Sequence, residues 1–256
     1  MSSVVSLAQR LKAGTPALTA WCGVPEPALA GVLAREACDA VTLDMQHGTY
    51  DFGAAARAIP LIAAAGKPAI VRVPVGEFAT ASKLLDAGAS GIVAPMINSV
   101  DDARRFAGFL KFPAMGERSW GPHGGLMLTG LAPADYLAQA NDFSLSLAMI
   151  ETREALDAID AILGVPGIDG IFLGPSDLSI TLSRGGELNL TSAAVESALD
   201  HALTRARAAG RLVGVYAPTG ERAAEFIKRG FDLVAIGSDV AFLRAGAQGA
   251  LKAARA

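Results

Sequence analysis

Eight short apolar runs recur along the chain, each closing on polar or glycine-containing residues and followed by an amphipathic, alanine- and leucine-rich stretch. The runs are Ala17–Trp21, Ala40–Leu43, Ala69–Val73, Gly91–Ala94, Leu145–Ile150, Gly170–Leu173, Leu212–Val215 and Leu233–Ile236. Runs this short, apolar throughout rather than alternating, fit strands buried on both faces. Between them, apolar residues fall three or four apart, as in Ala103, Phe106 and Leu110, or Ala155, Ile159 and Leu163. Leu84, Leu85 and Ala87 precede a Gly88 stop, and Ala223, Phe226 and Ile227 precede Gly230. This spacing predicts helices. Eight strand–helix units in 256 residues predict one (β/α)₈ TIM barrel, an α/β fold, spanning residues 1–256 as a single domain. An open doubly wound sheet is the competing arrangement. It calls for a glycine-rich first turn, and none follows Trp21.

Two segments interrupt the rhythm. Lys111–Pro133 carries five glycines and three prolines and is too long for a plain connector, so it is expected to be a lid or substrate loop. Gly174–Leu190 is expected to hold a loop and a short helix before a long helix near Ser192–Ala209. The last stretch, Asp239–Ala256, is apolar and alanine-rich, and predicts a helix that packs on its own barrel or on a neighbouring subunit.

Composition narrows the class. A hydrophobic fraction of 52% against 18% charged residues supports a large core and leaves apolar surface to bury between subunits. A net charge of −3 gives no footprint for nucleic acid. The alanine-rich blocks Ala28–Ala40 and Ala54–Ala65 are broken by charges or proline before the roughly 20 apolar residues a membrane span needs. Cys22 and Cys38 make neither a disulfide framework nor a zinc spacing, so a reducing cytoplasm is expected, with Cys38 a small buried hydrophobe.

In such barrels the chemistry sits at the C-terminal ends of the strands. There the chain places Asp44 and His47 after the second run, Arg72 within the third, Glu151 after the fifth and Asp177 after the sixth. Glu151 and Asp177 offer only oxygen ligands, which suit a hard divalent ion such as Mg²⁺ or Mn²⁺, with Co²⁺ an alternative. The plainer alternatives are that Glu151 caps the following helix or pairs with an exposed cation, and that Asp177 is a helix N-cap. His47 is either a satisfied loop histidine or, with Asp44 three residues earlier, an Asp–His pair that fixes the imidazole as a base. Arg72 needs an anionic partner if buried: a substrate carboxylate, or a structural bridge to Asp44 or Glu151.

With these residues in place the sequence resembles the 4-hydroxy-2-oxoheptanedioate aldolase family, the class II, metal-dependent pyruvate aldolases of the HpcH/HpaI aldolase/citrate lyase superfamily. The resemblance covers nearly the whole chain. It is carried most specifically by Leu43-Asp44-Met45-Gln46-His47-Gly48, by Gly88–Met96, by Met149–Ala155 and by Gly167–Ser179. It implies cleavage of a 4-hydroxy-2-oxo acid to pyruvate and an aldehyde. Glu151 and Asp177 would then hold the metal against the pyruvate moiety, and Arg72 would meet the keto oxygen and stabilise the enolate. His47, oriented by Asp44, would handle the 4-hydroxyl proton together with a metal-bound water. Asp86 matches a position that supports the histidine from a neighbouring subunit, and Trp21 an aromatic lining the pocket. Gly174, Pro175 and Ser176 lie in the segment whose amides meet the substrate carboxylate. The family's trimers of dimers, hexamers that exchange their last helix, would account for the apolar C-terminus.

The chain departs from that pattern at Met149, where many relatives carry a glutamine, and a thioether cannot donate a hydrogen bond. The loop Gly116–Gly125, with Trp120 and His123, also differs, and these two residues either shape the aldehyde end or pack the lid. Two other functions use the same residues differently: a lyase acting on acyl-CoA esters, and a non-catalytic barrel that binds 2-oxo acids.

Overall fold

The computed structural model describes residues 2–255. Its eight strands close into a parallel barrel in sequence order, the last pairing with the first. They are β1 (Ala17–Cys22), β2 (Ala40–Asp44), β3 (Ala69–Arg72), β4 (Gly91–Ala94), β5 (Leu145–Ile150), β6 (Gly170–Leu173), β7 (Leu212–Ala217) and β8 (Leu233–Ile236). Four match the apolar runs to the residue. β1, β2 and β7 extend one or two residues further, and β3 stops at Arg72, one residue short of its run.

Side chains alternate along every strand. Val41, Leu43, Val71, Ile92, Ile150, Ile171 and Val213 face the surrounding helices in one apolar layer. Ile70, Val93, Leu147, Met149, Phe172 and Ala235 fill the barrel interior, so the barrel is packed rather than a pore. The N-terminal helix Ser3–Lys12 sends Val4, Leu7 and Leu11 into this inner cluster, joined by Tyr136 and Phe143. No helix among the described residues is long and apolar enough to cross a membrane.

The register places the polar residues. Asp44 and Arg72 are direct neighbours across β2 and β3. On β5 and β6, Ile150 is paired with Leu173, so one step further sets Glu151 beside Gly174. The long connection after β4 does not cover the cavity of its own chain. Its first residue, Lys111, is fully buried and donates to the carbonyls of Asn141 and Ser144, at 2.9 and 2.7 Å, and to Asp169 at 2.6 Å. Those partners precede β5 and β6, at the end of the barrel that holds the N-termini of the strands. Arg118 is buried further along the same loop, where it bonds Asp86 at 2.7 Å and lies over Phe112. Trp120 packs on Phe112 and Tyr136. Helices follow at His123–Thr129 and Pro133–Phe143.

The segment after β6 forms the helix Pro175–Leu182, and the long helix runs Ala193–Ala208 with Ser192 as its N-cap. The final helix, Asp239–Ala254, buries only Asp239. Leu243 and Leu251 stand 67% and 56% exposed on it.

Candidate active site

A cavity of about 520 Å³ opens at the C-terminal rim of the barrel. Trp21, Asp44, His47, Arg72, Met149, Gly174, Pro175, Ser176 and Asp177 all line it, so strand-end placement did bring these sequence candidates together. Phe172, Tyr216 and Asp239 line it as well. Tyr216 was detectable from its place at the end of β7. Asp239 reads in the sequence as an ordinary helix-start acid after Ser238. Trp120, His123 and Asp86 are absent from the lining, and so is Glu151, whose carboxyl lies against Gly174 beside Met149.

Arg72 and Asp44 form a buried, two-pronged pair: Nε donates to Oδ1 at 2.9 Å and Nη2 to Oδ2 at 2.7 Å. Four further donors converge on Asp44, namely the Trp21 indole at 3.2 Å and the backbone amides of Gln46, His47 and Gly48 at 3.0, 3.3 and 3.2 Å. Burial acts to raise the Asp44 pKa, but the Arg72 bonds and charge, with help from Trp21 and Gln46, bring it below the ordinary carboxylate value. Asp44 therefore does not orient the His47 imidazole within the chain. Its only bond to His47 is through the backbone, and the histidine side chain stands exposed at the rim. The reason is geometric. Asp44 is bonded to its strand neighbour, and its remaining capacity ties down the turn that follows. The structural bridge between Arg72 and Asp44 is formed, while Nη1 of Arg72 makes no hydrogen bond within the described residues. The guanidinium also lies over the Trp21 ring at 4.9 Å.

Glu151 is 1% exposed and Asp177 is partly buried. Neither caps a helix in the way the plainer reading required. Thr152 is the N-cap of Arg153–Asp157, and the helix containing Asp177 starts without a side-chain cap. Burial pushes the Glu151 carboxyl up to about 7. The neighbouring Asp177 adds to this, while the Met96 N–H bond and the Arg72 charge oppose it. Met96 aims that N–H at Oε1, 2.9 Å away, from a left-handed backbone with φ of 55°. Gly174 makes room on the other side: a Cβ there would come within 2.7 Å of both Glu151 Oε2 and Met149 Cε.

This arrangement fits a hard divalent cation. Two carboxyls lean on each other without a basic partner, all donors are oxygen, and the neighbouring backbone is kept bare. No group of three His, Cys, Asp or Glu side chains suited to a metal exists among the described residues. Water and substrate oxygens would have to complete the shell.

Asp86 lies outside its own chain's cavity, at the end of the helix Phe78–Asp86, paired with Arg118. Two guanidinium nitrogens of Arg118, Nε and Nη1, are buried without a partner.

Comparison with known proteins agrees with the barrel fold. The family model for HpcH/HpaI aldolase/citrate lyase matches residues 18–245. The chain is similar to a hydroxypyruvate/pyruvate aldolase of Rhizorhabdus wittichii, 43% identical over 95% of this chain and 96% of the relative. It is also similar to a 4-hydroxy-2-oxo-heptane-1,7-dioate aldolase of Salmonella dublin, 32% identical over 93% and 90%. Among solved structures it resembles an HpcH/HpaI aldolase/citrate lyase family protein of Burkholderia cenocepacia. The TM-score is 0.87 at 29% identity, covering 98% of this chain and all of that one.

Proposed function

Because the chain belongs to the HpcH/HpaI aldolase/citrate lyase family, we propose that it is a divalent-metal-dependent aldolase that reversibly cleaves a 4-hydroxy-2-oxo acid to pyruvate and an aldehyde. One observation carries the reading: the buried Glu151 carboxyl is coupled to the partly buried Asp177, which lines the cavity together with the fixed guanidinium of Arg72. Glu151 and Asp177 would hold Mg²⁺ or Mn²⁺, and the ion would supply Lewis acidity toward the 2-oxo acid.

The remaining work falls to the chain. The amides of Ser176 and Asp177, in the first turn of Pro175–Leu182, face the carboxylate of the 2-oxo acid; Pro175 lacks an N–H to lose. Arg72 is held from one side by Asp44 and directs its free Nη1 at the keto oxygen, where negative charge grows as the carbon–carbon bond breaks. His47 takes the proton of the 4-hydroxyl. The electron pair of that O–H becomes the aldehyde carbonyl, and the C3–C4 pair passes to C3 and the keto oxygen as an enolate. Protonation at C3 then gives the pyruvate methyl. Trp21, Phe172, Met149 and Tyr216 wall the cavity with apolar surface and limit water around the developing charge. Met149, in place of a hydrogen-bonding glutamine, offers the keto oxygen no donor, so within the chain that contact falls to Arg72.

The exposed leucines of the final helix support a homo-oligomer in which that helix packs on a neighbouring subunit, as in a trimer of dimers. Asp86, fixed by Arg118, would then face a partner's histidine. Two free cysteines fit a cytoplasmic setting.

The test is release of pyruvate from a free 4-hydroxy-2-oxo acid by purified protein with Mg²⁺ or Mn²⁺, together with exchange of the pyruvate methyl protons in D₂O. Activity that survives metal stripping, or cleavage confined to acyl-CoA thioesters, would overturn the reading. Metal-enhanced pyruvate binding without methyl exchange would instead identify a non-catalytic barrel.

A further inference from the structure

Barrels of this architecture often hold phosphate at the loops following the last strands, where a helix N-terminus presents free N–H groups. In this chain that place lies at the cavity mouth, between Ser238–Val240 after β8 and Gly23–Val24 after β1. The chain fills it with a side chain of its own. Asp239 is 2% exposed; its Oδ2 accepts from the amides of Gly23 at 2.9 Å and Val24 at 2.8 Å, and its Oδ1 from that of Val240 at 2.8 Å. All three partners are backbone amides, and none carries a positive charge.

The charges around the cavity then sum simply. Asp44 is matched by Arg72. Glu151 and Asp177, on the proposed-function reading, are matched by a divalent ion. Asp239 lines the same cavity after β8 and is matched by no side-chain cation among the described residues. The mouth between β8 and β1 therefore carries a negative charge held by backbone amides and the N-terminus of the final helix, and those anion-binding amides are already spent.

We infer that Asp239 is a specificity-determining residue that excludes phosphorylated aldehydes, so that the aldehyde partner carries no phosphate. This deepens the aldolase reading and rests on it. A phosphate dianion entering here would meet a like charge with no donors left to accept it. Opposition of that kind lowers acceptance by on the order of 100-fold.

The experiment compares D-glyceraldehyde with D-glyceraldehyde 3-phosphate as acceptors for pyruvate, with Mg²⁺, in the wild type and in Asp239→Asn. The amide keeps an oxygen for Gly23 and Val24 but lacks the charge. The wild type should favour the unphosphorylated aldehyde by on the order of 100-fold in kcat/KM, and Asp239→Asn should reduce that preference about tenfold or more. A purely structural role would lower both rates together and leave their ratio unchanged. A wild-type ratio near one, or a ratio unmoved by Asp239→Asn, overturns the inference.

A second arm does not need turnover. Inorganic phosphate should raise the thermal midpoint of Asp239→Ala by occupying the vacated amides, and leave the wild type unmoved. Equal stabilisation of both proteins by phosphate also overturns the inference. Failure of the wild type to use either aldehyde counts against the aldolase reading, and the phosphate arm still decides the role of Asp239.

Discussion

Replacing Arg72 with methionine tests the buried pair on which the rim is built. The wild-type side chains are 9% and 6% exposed, so solvent screens them little. The change removes two charge-assisted bonds, at 2.9 and 2.7 Å, and leaves Asp44 with the Trp21 indole and three backbone amides. Removing one partner of a buried ion pair typically costs about 3–5 kcal/mol. Four surviving donors put this case at the lower end, about 3 kcal/mol, which for a domain of this size is a fall in Tm of about 6–12 °C.

The pH dependence has a definite sign. In the wild type the Asp44 pKa is depressed, because Arg72 outweighs burial. That contribution is present above the unfolded value of about 3.9 and disappears as pH falls through the folded value. Without Arg72, burial is opposed only by the remaining donors, the pKa rises, and protonation relieves the buried charge. The deficit relative to wild type should therefore shrink as pH drops from about 7 toward about 4. Urea unfolding across that range measures it, with Arg72→Met/Asp44→Asn as a companion expected to recover at least half of the loss. A deficit below about 1 kcal/mol, or one that stays flat with pH, would refute the reasoning.

Three further outcomes follow from the same structure. Glu151, with its pKa pushed up from 4.5 to about 7, should make the metal-free protein lose on the order of 3 kcal/mol of stability as pH rises between those values. Added Mg²⁺ or Mn²⁺ should reverse that loss at about pH 8 but not in Glu151→Gln, as followed by thermal melts; an unchanged melt on adding metal to the wild type would contradict it. Lys111→Met should lower stability by about 3 kcal/mol in denaturant titrations, since it removes the only cation paired with Asp169 among the described residues, leaving it the Ser146 donors, and takes a donor from two carbonyls; a loss below about 1 kcal/mol would show those groups to be satisfied otherwise. Leu243→Glu with Leu251→Glu should reduce the molar mass measured by light scattering to that of a smaller species; an unchanged mass would place the subunit contacts elsewhere.

Much of the barrel was legible because its period is simple. β4, β5, β6 and β8 are bounded by glycine, leucine, alanine and isoleucine residues, and there the apolar run and the strand coincide. β2 outruns its apolar stretch because Asp44, though charged, continues the extended backbone toward the cavity, and a rule that stops at the first charge cannot include it. The site residues were legible as a set, since strand ends share a rim. Their pairing was not. Asp44 and His47 are close in sequence, and that proximity favoured a partnership the register denies: Asp44 neighbours Arg72, a residue 28 positions away. The loop after β4 was misplaced for a related reason. Its glycines and prolines advertise irregular backbone, but only the buried contacts of Lys111 and Arg118 show which end of the barrel it serves.

The bonds from Asp239 to Gly23 and Val24 span 216 and 215 residues. They lie at the seam where β8 meets β1, which is also where the ring of strands closes. On the ribosome the first strand, with Trp21, emerges long before its two neighbours are both present. The cavity wall between Trp21 and Val240 can form only after synthesis has passed Val240. Until then the nascent barrel has an open edge, so the order of synthesis itself delays a working site until β8 and the start of the final helix have been made.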